Sequence, residues 1–277
     1  EDALASAERA RMLDPLNPTV LGQLEMVLLS VRRFDRAEEV EREIVRLVPD
    51  DYGAAVRLAT TPFMRSGSTR EFEALLARLS APGTPDSAAI RASRLEIMIL
   101  LGDAAGMIRF WRENGENLLW EEYSVRDARM LIAAAFIALG DPASARPLLE
   151  KNRDEALAAL ARDAAAPVGL NDLGLALAML GDAEAGRAKL AQARGLIDSA
   201  PPARRNFLRW QGAIDRGWAG EKSEAIADLR DILRSRTMAG LRVNVHDLAA
   251  SLLTLPLRDE PAFKAMLADP ANNAPLF

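Results

Sequence analysis

Apolar residues recur at helical spacing along most of the chain, with glycine or proline at the ends of the stretches. In the first stretches, Leu21, Leu24 and Leu28 share one helix face, and Ala37 and Ile44 share the next. The pattern predicts an all-α protein. Helices are expected at residues 2–13, 17–31, 35–47, 52–64, 69–80, 86–101, 104–113, 117–139, 142–163, 168–180, 183–198, 203–218, 222–235, 243–254 and 259–268.

The pattern of apolar residues and prolines repeats along the chain. Three positions recur 34 residues further on, with Ala3, Ala10 and Pro15 matched by Ala37, Ile44 and Pro49. Because proline cannot continue a helix interior, each Pro marks the end of a two-helix unit. A period of this length is typical of stacked helical hairpins.

A Leu-Gly-Asp motif occurs at residues 101–103, 139–141 and 180–182, with a weaker copy at 219–221. Glycine after a helix end can adopt the left-handed conformation, and the following Asp can accept hydrogen bonds from the next helix. The motif therefore predicts the tight turn of a hairpin. One hairpin cannot bury its own apolar face, so neighbouring hairpins are expected to stack as a solenoid. Gly174 and Gly186 are expected where two helices approach closely.

The 34-residue period, the paired helices and the terminal prolines resemble tetratricopeptide repeats (TPR). The resemblance implies a right-handed α-α superhelix of about six or seven hairpins, with residues 1–277 as one TPR-like domain. Residues 255–267 resemble the closing part of the TPR regions in bacterial multidomain regulators with adenylate cyclase, winged-helix or Ser/Thr kinase domains. By this resemblance, residues 255–277 are a C-terminal capping segment.

Residues 1–13 match only the second helix of a repeat. We therefore expect the chain to be part of a longer protein. The alternative is that these residues form a solitary N-terminal cap.

In TPR stacks the first helix of each pair lines a concave groove, and the resemblance implies a groove rich in Met and aromatic side chains. The expected lining is Met26, Phe63, Met64, Met130, Asn171, Met179, Trp210, Ile214 and Trp218. Such a groove suits an apolar peptide or helix. The predicted function is a non-catalytic module for protein–protein interaction or regulation. Two alternatives remain open: these side chains belong to the core, or the superhelix encloses a pocket and senses a small molecule.

The composition disfavours several kinds of metal site, catalytic site and partner. The chain has no cysteine and one histidine, which disfavours thiolate metal sites, His-based metal sites and nucleophilic triads. With 40 acidic and 35 basic residues its net charge is −5, the opposite of most nucleic-acid-binding domains. We predict no enzyme activity, no cofactor, no metal, no direct nucleic acid contact and no membrane contact; the partner is a protein or peptide.

Residues 201–245 carry a local excess of positive charge that includes Arg204, Arg205, Arg209 and Arg216. This basic patch could bind an acidic partner or a phosphate, or it could be ordinary surface. An acidic start without the apolar core of a signal peptide favours a cytoplasmic location. The alternative is a periplasmic domain of a membrane-anchored regulator.

Overall fold

The computed structural model describes residues 2–115, 125–199, 201–235 and 244–277, and within these ranges every regular element is a helix. The first seven helices are α1 (Asp2–Leu13), α2 (Pro18–Ser30), α3 (Phe34–Leu47), α4 (Tyr52–Ser66), α5 (Arg70–Leu79), α6 (Ala88–Leu101) and α7 (Ala104–Asn114). The next six are α8 (Val125–Ala138), α9 (Pro142–Leu160), α10 (Pro167–Met179), α11 (Ala183–Ile197), α12 (Pro202–Trp218) and α13 (Lys222–Leu233). The last part holds α14 (Val245–Ala250), a 3-10 helix (Leu252–Leu257), α15 (Pro261–Ala268) and a short 3-10 helix (Pro270–Asn272). The all-α prediction is confirmed for the described residues.

The predicted Leu-Gly-Asp turns are confirmed in detail. Gly102, Gly140 and Gly181 all have positive φ, as the left-handed end of a helix requires. The backbone N–H of Asp182 reaches back to the carbonyl of Leu177 at 3.0 Å, and equivalent bonds form at the other two turns. The carboxylate of each Asp then accepts from the backbone N–H of the third residue of the next helix, for example that of Ala185 at 3.1 Å. These bonds satisfy groups that a helix end would otherwise leave unpaired.

Each helix from α1 to α12 packs against the next one in the chain, and α10 also packs against α12. The tightest pair is α10 and α11. A Cβ added at Gly174 would lie 2.7 Å from Cγ of Leu190, and one at Gly186 would lie 2.8 Å from the carbonyl oxygen of Gly174. The predicted close approach at these two glycines is confirmed.

The prediction of one helix over 243–254 is wrong. Helix α14 ends at Ala250, and Ser251 takes an extended conformation (ψ 127°) before the 3-10 helix begins. Side chains stabilise this break: the Thr254 hydroxyl donates to the carbonyl of Leu248 at 2.7 Å, and Arg258 donates to the carbonyl of Ala250 at 2.9 Å. These bonds replace those of a continuing α-helix.

Two other parts of the expected helices need comment. Helix α9 ends at Leu160, three residues before the predicted end. The predicted helix 117–139 lies partly outside the described residues, which resume at 125, and Trp120 and Tyr123 fall in that gap. Across the described ranges, no helix combines the length and apolar character needed to cross a lipid bilayer.

Candidate functional site

Residues 244–277, here called the C-terminal segment, contact helices that lie far from them in the sequence. Helix α14 packs against α4 and α6, and the 3-10 helix Leu252–Leu257 packs against α8, α12 and α13. Helix α15 packs against α13 and α14 and buries Phe263 and Met266. The C-terminal segment therefore covers helices from both halves of the chain.

At its start, the C-terminal segment is fixed to the end of α4 by two asparagines. Asn244 is fully buried, and its Nδ2 donates to the carbonyl of Met64 at 2.6 Å and to Oδ1 of Asn273 at 2.7 Å. Asn273 donates to the same Met64 carbonyl at 3.2 Å. Two residues after Asn244, the ring centroid of His246 lies 6.2 Å from that of Phe63. This carbonyl at the C-terminal end of α4 has no partner within its helix, so side chains supplied by the C-terminal segment satisfy it.

In the middle of the C-terminal segment, residues 252–257 make mainly apolar contacts with the helices beneath them. Leu257 is fully buried in one cluster with Ile214, while Leu252 is buried in a second cluster with Met130. The indole N–H of Trp218 donates to the carbonyl of Leu253 at 2.8 Å. Gly217 lets Leu257 pack closely against α12, because a Cβ at position 217 would lie 3.1 Å from the Leu257 side chain. These contacts bury apolar side chains of residues 252–257, and one hydrogen bond from Trp218 fixes their position.

The last residues of the chain reach the turn between α2 and α3. The backbone N–H of Leu276 donates to the carbonyl of Val31 at 3.2 Å, and Arg33 donates to the carbonyl of Phe277 at 2.9 Å. Arg32, at φ 60° and almost fully buried, donates to the carbonyls of Leu233 and Ala274. Burial lowers the pKa of Arg32 to about 10. The turn between α2 and α3 thus contacts both the end of α13 and the end of the chain.

Five of the predicted groove residues contact the C-terminal segment or share an apolar cluster with it. We call them the covered face, and its members are Phe63, Met130, Trp210, Ile214 and Trp218. The side chain of Met64 lies instead among residues of α1 to α4, and only its carbonyl accepts from the C-terminal segment. Phe63, Met64, Met130 and Ile214 are at most 6% exposed, which corrects the prediction that they line an open groove. Their burial arises because the C-terminal segment and neighbouring helices cover them. Trp210 and Trp218 are only partly buried.

Three predicted groove residues lie apart from these contacts or at their edge. Met179 packs, partly buried, against the cluster that contains Leu252. Met26 is partly buried on α2, where its carbonyl accepts from Ser30. Asn171 is 3% exposed and lines a pocket with arginines from α11 and α12.

That pocket also holds two members of the predicted basic patch. Arg209 donates to Oδ1 of Asp228 at 2.7 Å, and Arg216 donates to Oδ2 of the same carboxylate. Arg209 is partly buried and Arg216 is largely buried, so these two do not form a basic outer surface. Arg205 is partly buried on α12 outside the pocket, and the side chain of Arg204 lies outside the described residues.

Sequence reasoning missed Asn244, Asn273 and Arg32, which hold the C-terminal segment, and Arg194, which joins Arg209 and Arg216 at Asp228. Only Arg32 left a local signal: it stands in a turn between two helices at the position that is glycine in the Leu-Gly-Asp turns. The others act through contacts between distant residues, which no local spacing indicates.

In the described ranges, no group of three or more His, Cys, Asp or Glu residues is arranged to hold a metal ion. No known protein-family model matches the chain, and a search of curated proteins finds no significant match.

Proposed function

We propose that the chain is a non-catalytic interaction module with a TPR-like superhelix, and that its covered face binds a short apolar helical segment of a protein partner. One observation carries this proposal: the covered face already holds a segment of that kind, because the chain's own residues 244–257 lie on it. A partner segment would have similar chemistry and would have to displace residues 244–257.

The contacts of the C-terminal segment define what a partner segment would supply. It would place leucines where Leu252 and Leu257 lie, and a free carbonyl where Leu253 accepts from Trp218. An amide side chain would reach the carbonyl of Met64, as Asn244 does. Recognition of this type combines apolar burial with a few hydrogen bonds that fix the register.

The test uses the full chain and a fluorescent peptide with the sequence of residues 244–258, followed by fluorescence polarisation. The parent is expected to bind the peptide weakly, because its own segment occupies the covered face. A Leu252→Ser variant loosens that segment by placing a hydroxyl in an apolar site, and it is expected to bind the peptide at least about tenfold more tightly.

The controls separate this effect from unfolding. A scrambled peptide should bind neither protein, and adding Met130→Ala to the Leu252→Ser variant should weaken binding again, because it removes part of the covered face. Circular dichroism should show unchanged helix content in each variant. If the folded Leu252→Ser variant binds the native and scrambled peptides equally, or binds neither, the proposal is wrong.

A further inference from the structure

A pocket lies among α10, α11, α12 and α13, apart from the covered face. Its polar lining is Asn171 from α10, Arg194 from α11, Arg209 and Arg216 from α12, and Asp228 from α13. We call it the arginine pocket. It is a half-open depression, so a ligand can reach its lining from solvent.

Positive charge is in excess in the arginine pocket. Three guanidinium groups share the Asp228 carboxylate: Arg209 at 2.7 Å, Arg194 at 3.5 Å, and Arg216 in direct contact. Among the residues that line the pocket, three positive charges face one negative charge, an excess of two that Glu221 and Glu224 outside the lining offset only in part. The carboxylate of Asp231, which is 73% exposed, reaches Arg209 only at 4.0 Å. Solvent screens that more distant pair, so it offsets little of the excess.

Arg216 is the most buried of the three arginines. Burial, with the nearby charges of Arg194 and Arg209, lowers the pKa of Arg216, although Glu221 and Glu224 act in the opposite direction. A further negative charge inside the pocket would therefore be stabilised by groups that are already in place.

Two buried donors in the arginine pocket have no hydrogen-bond partner in the described structure. They are Nδ2 of Asn171 and Nε of Arg216, on residues that are 3% and 6% exposed. A buried donor without an acceptor costs free energy, so an unpaired donor that lines a cavity indicates an acceptor that enters from outside. Gly212 keeps the space beside Asn171 open, since a Cβ there would lie 3.5 Å from Nδ2.

We propose that the arginine pocket binds a phosphoryl group, delivered either as free phosphate or as the phosphate of a small phosphomonoester. A phosphate dianion matches the excess of two charges. Its several oxygens can accept from Asn171 and from guanidinium N–H groups at the same time, which a monovalent halide cannot do. The site is separate from the covered face, so the proposal does not depend on what binds there.

The experiment measures binding to the full chain by isothermal titration calorimetry, with inorganic phosphate and glycerol 3-phosphate as probes and chloride as the control at matched ionic strength. A dissociation constant below about 1 mM for either phosphate, without binding of chloride, is the expected result. Tighter binding of inorganic phosphate identifies the free ion as the ligand, and tighter binding of glycerol 3-phosphate identifies a phosphomonoester.

Variants then locate the site. Arg194→Ala removes a half-exposed guanidinium and should weaken phosphate binding at least about tenfold. The matched control is Arg205→Ala, which removes the same charge outside the pocket and should leave the affinity unchanged. Gly212→Ala should raise or preserve the melting temperature, because alanine favours helix, and yet weaken binding because its methyl group occupies space beside Asn171.

Absence of phosphate binding by the parent overturns the proposal. So does equal weakening by Arg194→Ala and Arg205→Ala, because it would mean that net charge alone attracts the ion. Unchanged affinity in both Arg194→Ala and Gly212→Ala would also refute it, since the phosphate would then lie elsewhere.

Discussion

Single glycines set how closely α10 and α11 approach each other. At Gly174 and Gly186 the facing atoms are a leucine side chain and a backbone carbonyl, so there is no room for a Cβ at either position. Gly195 on α11 differs, because nothing lies within 4 Å of a Cβ placed there. A larger side chain is therefore expected to be tolerated at Gly195 but not at Gly174 or Gly186, because only the latter two face closely packed atoms.

Gly174→Leu is expected to lower the free energy of unfolding by about 1–3 kcal/mol or more, because the added side chain would overlap Leu190. Denaturant unfolding followed by circular dichroism measures this change. Gly195→Leu adds the same side chain at an open position and should not destabilise the protein, because leucine favours helix more than glycine does. Equal losses in the two variants would show that contact between α10 and α11 is not the cause.

For the helices and turns, the sequence predicts those features that depend only on residues a few positions apart. The turns after Gly102, Gly140 and Gly181 follow from glycine conformation and Asp capping within a few residues, so their positions could be predicted from the motif. The path of the C-terminal segment could not, because Asn244 finds its acceptor at Met64, 180 residues earlier. For the same reason the sequence could not predict that residues 252–257 lie against Met130, Ile214 and Trp218.

Helix α14 carries the chain's only histidine, and its contact with α4 is expected to depend on pH. Burial lowers the pKa of His246 from its ordinary value of 6.5, so the folded protein favours the neutral ring. The stabilising contribution is therefore complete above pH 6.5. It decreases as the pH falls from 6.5 towards the pKa of the folded state, because the unfolded chain takes up the proton first.

An NMR titration of the single histidine ring should give a pKa below 6.5 in the folded protein. A His246→Gln variant should show a smaller change in unfolding free energy between pH 7 and pH 5 than the parent, since glutamine does not titrate. A folded-state pKa at or above 6.5 would contradict this prediction.

For the whole molecule, Arg32 connects the α2–α3 turn to both the end of α13 and the C-terminal residues. It holds a left-handed backbone conformation that glycine would adopt at lower cost. The side-chain contacts therefore outweigh a conformational cost of about 1–2 kcal/mol. This balance can be tested by a substitution that suits the backbone and removes the contacts.

Arg32→Gly is expected to lower the free energy of unfolding by about 1 kcal/mol, because lost charge-assisted hydrogen bonds exceed the relief of backbone strain. Hydrogen exchange should speed up at the Leu276 amide, which bonds to Val31 in the same contact region. Arg36→Ala removes an exposed arginine that pairs with Glu8, and it should leave exchange at Leu276 unchanged. If Arg32→Gly stabilises the protein, the contacts of Arg32 do not hold the C-terminal residues in place.

The bond between Val31 and Leu276 has a consequence for how the chain folds. Linear repeat arrays fold from any point and unfold in parts, because each unit depends only on its neighbours. Here the contacts of the α2–α3 turn are complete only when residues 274–277 are in place. We therefore expect cooperative unfolding in a single transition, and slower folding than an array of local contacts would show.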